Sequence, residues 1–261
     1  MERMNVDRVL KAHERAVMDR VLAEEEARRE HLVVYLSGAH AYGFPSPDSD
    51  LDLKAIHIAR TEDLIGFEPP PPTFDRAEVI ERVEIDYTSN ELAHALAGIL
   101  SGNGNFLERV LGSMAPHSSP LLADLRPLAR RSLSRRVHRH YRGFAQNQRK
   151  FLEREPSVKK LLYVLRTALT GIHLLETGEL EPDLTQVMGR YGLPEARELV
   201  ERKRGGERIG LEPALRDAWA PKVDALFVRL DAAREKSVLP EDPPNEAELR
   251  AWLLAVRRSR L

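Results

Sequence analysis

The sequence predicts an α+β chain in which a small mixed-sheet unit precedes an all-helical one. Three observations carry this expectation. Strand-like runs of alternating or β-branched residues lie before about residue 100. Beyond it the apolar positions recur at helical spacing, with no convincing strand. "SMAPHSSP", residues 113–120, interrupts both patterns, so residues 1–118 are expected to form the first domain and residues 119–261 the second.

The elements follow in order. Val6, Val9, Leu10, Val17, Met18, Val21 and Leu22 lie among charges across residues 6–29, an approximate three-four spacing that predicts an amphipathic helix. "HLVVYLSG", His31 to Gly38, has the β-branched and aromatic content of a buried strand stopped by glycine. After the turn "GAHAYGFPSPDS" comes a second strand, "DLDLKAIHI", where period two puts Asp50 and Asp52 on one face and Leu51 and Leu53 on the other. Pro69 to Pro72 remove four backbone donors and fix a loop. "VIERVEIDY", Val79 to Tyr87, predicts the third strand, and Thr88 with Glu91 stands at capping-box spacing before the helix "LAHALAGIL". "GNGN", residues 102–105, predicts a turn with Asn as a helix cap. Helices are then expected over residues 105–112, 121–155, 158–178, 194–204, 213–236 and 245–260.

Composition excludes several chemistries. The 261 residues contain no cysteine, which removes disulfides, thiolate metal sites and cysteine nucleophiles. The N-terminus is charged throughout and no apolar run reaches the length of about 18 residues that a membrane span needs, so no membrane role and a cytoplasmic location are expected. Lys plus Arg, 40, balances Asp plus Glu, 41. Locally the balance fails: residues 126–150 hold nine Lys or Arg and no acid, which favours an anionic ligand.

The stretch "LSGAHAYGFPSPDSDLDL" carries the chemistry. Carboxylates crowded on one face repel unless a cation or a shared proton compensates. Asp50 and Asp52 suit hard cations, Mg²⁺ or Mn²⁺, and a two-metal site suits phosphoryl or nucleotidyl transfer. Asp86, at the end of the third strand, is the candidate third ligand if the two strands pair, with Glu84 on the same face as the fallback. Gly38 and Gly43 would let backbone amides approach a phosphate, and a helix starting after Gly38 would aim its N-terminus at it. Alone, a D-x-D is common on protein surfaces; the combination of strand, glycine turn, D-x-D strand and third acid is far more specific.

"SGAHAYGFPSPDSDLDLKAIHI" resembles the signature of the DNA polymerase β-like nucleotidyltransferase superfamily: a strand, then G-S, a spacer and D-x-D. Within it, the form G-S-x-A-Y-G followed by S-D-x-D is similar to the prokaryotic and phage family named for RNA repair pathway nucleotidyltransferases. The resemblance extends through "VEIDYTSNEL", "GNGNFLERVL", "HRHYRGFAQNQ" and "VKKLLYVLRTALTGIHLLETGEL", roughly Leu32 to Leu180. It implies a polymerase β-like N-terminal domain followed by a helical domain that closes the nucleotide cleft. It implies catalytic and metal-binding roles for Asp50, Asp52 and Asp86, the last helping to activate the acceptor hydroxyl, and makes Gly38 the signature glycine. Ala39 stands where the signature has the serine that contacts nucleotide phosphates. The implied reaction moves an NMP from an NTP such as ATP to a hydroxyl, an RNA end among the acceptors. The alternatives are a toxin-antitoxin or protein-modifying nucleotidyltransferase, or a nucleotide-binding module of weak activity.

In the helical part Lys159, Tyr163 and Arg166, at i, i+4 and i+7, share a helix face able to hold a triphosphate and a base or ribose. The competing expectation buries Tyr163 in the core and leaves both cations solvated. His138 and His140 do not share a helix face, which disfavours zinc; with Tyr141 and Arg142 they form either a phosphate site or a solvated basic helix with Tyr141 packed inward. The cations of "ERKRGGE", residues 201–207, are expected at the surface.

Overall fold

The computed structural model describes residues 2–206 and 209–261, so Glu207 of the "ERKRGGE" segment lies outside the described residues. The chain divides into two units, each discontinuous in sequence. Residues 1–38, 50–133 and 243–261 make the first, and residues 39–49 with 134–242 make the second.

The first unit is built on a five-stranded mixed sheet in the order β3-β4-β2-β1-β5. Its strands are β1 (Glu30–Leu36), β2 (Leu51–Ile58), β3 (Thr73–Ile80), β4 (Val83–Glu91) and β5 (His117–Ser118). β1 lies inside the sheet between β2 and β5 and, after Glu30, is buried throughout, as its run of Leu, Val and Tyr requires. β2 runs antiparallel to β1 and parallel to β4. The helices of this unit are α1 (Glu2–Val9), α2 (Ala12–Glu26), α4 (Thr61–Ile65), α5 (Leu92–Leu100), α6 (Gly104–Leu111), α7 (Pro120–Arg131) and α13 (Glu246–Arg258). α2 buries Val17, Met18, Val21 and Leu22, the stripe expected of an amphipathic helix. Glu25 on the same helix is 1% exposed; Arg29, Arg28 at 2.9 Å and Arg76 at 3.1 Å surround its carboxylate, which a buried charge demands.

Several sequence expectations are corrected here. The helix over residues 6–29 is two helices, broken between Val9 and Ala12. The third strand, expected at 79–87, is a hairpin: Glu81 and Arg82 take positive φ, 48° and 71°, and turn β3 back on β4. The turn was hidden because neither residue is the Gly, Asn or Asp such a turn prefers. Thr88 is in β4 rather than capping α5; Glu91 is the cap, its carboxylate accepting from the Ala93 amide at 2.7 Å. Asn103 caps α6 as expected. β5 is a strand past residue 100, two residues long and so too short for any periodic pattern.

In the second unit, α9 (Val158–Thr177) is the axis, packed by α8 (Val137–Arg154), α10 (Leu184–Val187), α11 (Ala196–Arg204) and α12 (Pro213–Glu235). Ser157 caps α9 at one end and Gly178, at φ 76°, ends it. The long helix expected at 121–155 is α7 and α8, separated at residues 132–136. No described helix is long and apolar enough to cross a membrane.

Candidate active site

In the first unit the chain leaves β1, turns at Gly38, and re-enters at Asp50 just before β2. The Ser37 amide donates to the Asp52 carbonyl at 2.8 Å, tying the end of β1 to the start of β2. Gly38 has φ 65°, and a Cβ there would lie 1.9 Å from Asp52 Oδ2. The glycine is therefore required twice: for its backbone conformation, and because the Asp52 carboxylate lies against its Cα.

The parallel register of β2 and β4 pairs Asp52 with Asp86 and Lys54 with Thr88. Paired residues share a face, so Asp52, Lys54 and Asp86 project together. Glu84 stays on the face of Asp86 but lies one residue before the pairing begins at Ile85. Between the two aspartates sits an ammonium: Lys54 Nζ is 2.8 Å from Asp86 Oδ2 and 3.8 Å from Asp52 Oδ1. Asp52 and Asp86 remain partly exposed, 27% and 53% by side chain.

Among the described residues no three His, Asp or Glu side chains are gathered closely enough to form a metal cluster as they stand. The donor chemistry nonetheless fits a hard divalent cation, being carboxylate oxygen. A cationic group already lies between two of those donors, marking where positive charge is favoured.

The second unit contains the turn that precedes the D-x-D. Its single helical turn, α3 (Gly38–Ala41), starts at Gly38 in the first unit. Ala39 is buried, and its carbonyl accepts from the Phe44 amide at 3.1 Å, closing the turn. Gly43 was expected to admit a ligand. Instead, a Cβ there would meet Asp183 Oδ1 at 2.0 Å, and Asp183 caps α10.

The face predicted on α9 meets this turn. The Tyr163 ring packs edge-on against Tyr42 and Phe44, at 5.7 and 5.6 Å between centroids. Lys159 Nζ is 5.9 Å from the Tyr163 ring, and the Arg166 guanidinium lies 3.6 Å over Tyr42. Lys159 and Tyr163 are half-buried, whereas Arg166 is only 3% exposed. Stacking of this kind gains more when desolvated, so Arg166 holds Tyr42 in place.

Other sequence candidates resolve differently. Several cations of the acid-free stretch are met by acids distant in sequence. Arg136 meets Asp242 at 2.8 Å, Arg142 meets Asp231 at 3.0 Å, and Arg149 meets Asp224 at 2.7 Å. His138 shares Asp231, at 2.9 Å. His140 stacks on Phe144, and burial, with the Arg166 charge nearby, pushes its pKa down to about 4. Tyr141 is fully buried, the structural alternative of the two considered.

Two lysines escaped sequence reasoning. Lys54 was readable, because it follows Asp52 by two on the same strand face. Lys203 was not. It lies in the run "ERKR" expected at the surface, yet it is fully buried and donates to Ser46 Oγ at 2.7 Å. Ser46 Oγ also lies 3.0 Å from Ser49 Oγ, whose oxygen accepts from the Ser46 amide at 2.9 Å. Lys203 thus anchors the "SPDS" turn that leads into Asp50.

Comparison with known proteins adds the family. RlaP, the RNA repair pathway DNA polymerase beta family, matches residues 14–255. An uncharacterized protein of Methanocaldococcus jannaschii is 29% identical over 230 residues, spanning 84% of this chain and 91% of that protein. The uncharacterized protein YcgL of Bacillus subtilis is 28% identical over 223 residues, spanning 80% and 84%. A crystal structure of a nucleotidyltransferase-like protein from Exiguobacterium sibiricum covers 92% of this chain and 78% of its own, at 15% identity and a TM-score of 0.33.

Proposed function

This chain belongs to the RNA repair pathway DNA polymerase beta family, and from that premise we propose that it transfers an NMP from an NTP to an acceptor hydroxyl with Mg²⁺ or Mn²⁺, an RNA end being the favoured acceptor. The observation that carries the proposal is the in-register pair Asp52 and Asp86 on adjacent parallel strands, with Asp50 leading into the first of them.

On this reading Asp50, Asp52 and Asp86 hold the divalent ions. When bound, those ions would supply the Lewis acidity that polarises the reacting phosphate and offsets charge on the leaving group. Asp86, the more exposed of the paired acids, is the carboxylate suited to accept a proton from an incoming hydroxyl. Gly38 and Ala39 contribute backbone to the nucleotide. Lys159 and Tyr163 contribute charge and a ring, and Arg166 supports them through Tyr42. Ala39 offers no hydroxyl, so phosphate contacts at that position come from backbone amides.

The test incubates purified protein with each labelled NTP, Mg²⁺ or Mn²⁺, and total cell RNA and protein. Label in RNA, absent with Asp52→Asn, supports the proposal. Label in protein favours a protein-modifying enzyme. No label in any fraction, with nucleotide binding retained, leaves a nucleotide-binding module.

A further inference from the structure

β2 carries Asp52 and Lys54 on one face, and the register with β4 sets Asp86 and Thr88 opposite them. Lys54 reaches back along the strand instead of out to solvent. Its ammonium is 2.8 Å from Asp86 Oδ2, 3.3 Å from the Asp86 carbonyl, 3.5 Å from Thr88 Oγ1 and 3.8 Å from Asp52 Oδ1. Its side chain is 20% exposed, less than either aspartate it serves. A long, rotamer-rich side chain held this way loses entropy that an exposed ion pair scarcely repays. The compensation is electrostatic: two carboxylates in register repel, and the ammonium lies between them.

A divalent ion cannot share that position. It would bind carboxylate oxygens at about 2.0–2.1 Å for Mg²⁺, and the two like charges would then repel at short range. We propose that Lys54 is an internal counter-ion which holds Asp52 and Asp86 ready and which the catalytic metal must displace, so that Lys54 sets the metal concentration the site demands. This rests on the reading that Asp50, Asp52 and Asp86 form the metal site. The flexible lysine stem lets the ammonium leave without moving the strand, whereas the aspartates, one of them lodged against Gly38, stay in place.

The experiment titrates Mn²⁺ into the full-length protein without nucleotide, following free Mn²⁺ by electron paramagnetic resonance, for wild type, Lys54→Met, Lys54→Gln and Asp52→Asn. Melting temperatures are recorded with and without metal. With the competing charge gone, Lys54→Met and Lys54→Gln should bind Mn²⁺ on the order of tenfold more tightly. Their metal-free melting temperature should fall, and the rise on adding Mn²⁺ should exceed that of wild type, a pattern lost packing alone does not produce. Lys54→Gln removes the charge but keeps a polar hydrogen-bonding end on a shorter stem, so the comparison survives if Lys54→Met does not fold. Wild-type affinity that depends on Asp52 but is equal or higher than that of both Lys54 variants would overturn the inference and leave the metal site standing. Equal Mn²⁺ binding by wild type and Asp52→Asn would overturn the metal reading, and this inference with it.

Discussion

Replacing Gly38 by Ala probes how the fold positions Asp52. The new Cβ would lie 1.9 Å from Asp52 Oδ2, 2.9 Å from Cγ and 3.2 Å from Cβ, so the carboxylate must retreat by at least about 1 Å even to reach a tight contact. Turning an aspartate off its preferred rotamer costs about 1 kcal/mol. Holding alanine at φ 65° costs about 1–2 kcal/mol more. Gly38→Ala should therefore lose about 2–3 kcal/mol, which chemical denaturation resolves as a lower midpoint at unchanged slope. Gly192→Ala is the comparator: φ there is 76°, but a Cβ would meet nothing within 4 Å, leaving only the conformational cost. Because Asp52 is the group displaced, Mn²⁺ affinity should fall in Gly38→Ala and hold in Gly192→Ala. A Gly38→Ala protein that loses no more than Gly192→Ala and binds Mn²⁺ like wild type would refute the steric argument.

Three further outcomes are expected. His31 is 3% exposed, bonded to the Tyr87 hydroxyl at 2.7 Å, and burial with the His117, Arg29 and His57 charges nearby pushes its pKa down to about 3; burial likewise pushes His57 down to about 4. The unfolded chain takes up those protons from about pH 6.5 downward while the fold resists, so stability should fall as pH drops from about 6.5 toward 4, by about 1.4 kcal/mol per pH unit for each histidine. His31→Gln should flatten that slope by one proton in urea titrations across the range; an unchanged slope would show that His31 is protonated in the fold. Ser46→Ala removes an acceptor from fully buried Lys203 and should cost about 1–3 kcal/mol in denaturation, a loss under 0.5 kcal/mol refuting the anchoring role. Lys159→Ala should weaken NTP binding by about 2 kcal/mol and barely change NMP binding in calorimetry, because only the NTP presents outer phosphates to the ammonium; equal losses for both would return Lys159 to the surface.

Local pattern determined much of this protein. Period two placed Asp52 opposite Leu51 and Leu53, although β2 begins at Leu51 and leaves Asp50 just before it, and glycine after an apolar run marked the end of β1. Helical spacing located α11, α12 and α13, because each buries one stripe that recurs along its own length, and located α9 although, as the axis of its unit, it is buried on nearly every side. The hairpin at Glu81 and Arg82 escaped, since its turn is imposed by the pairing of β3 with β4 rather than by residues that prefer positive φ. The alignment of Asp86 with Asp52 was a guess from sequence and became a fact only through strand register, which depends on residues about thirty positions apart. Burial of Lys203 and the ion pairs of Arg136, Arg142 and Arg149 are likewise long-range: the Ser46 hydroxyl and Asp224, Asp231 and Asp242 meet these cations only when the second unit is assembled. Charge is a property of sequence, but whether a charge faces solvent, a partner or a ligand is decided by what the fold brings within a few ångströms of it.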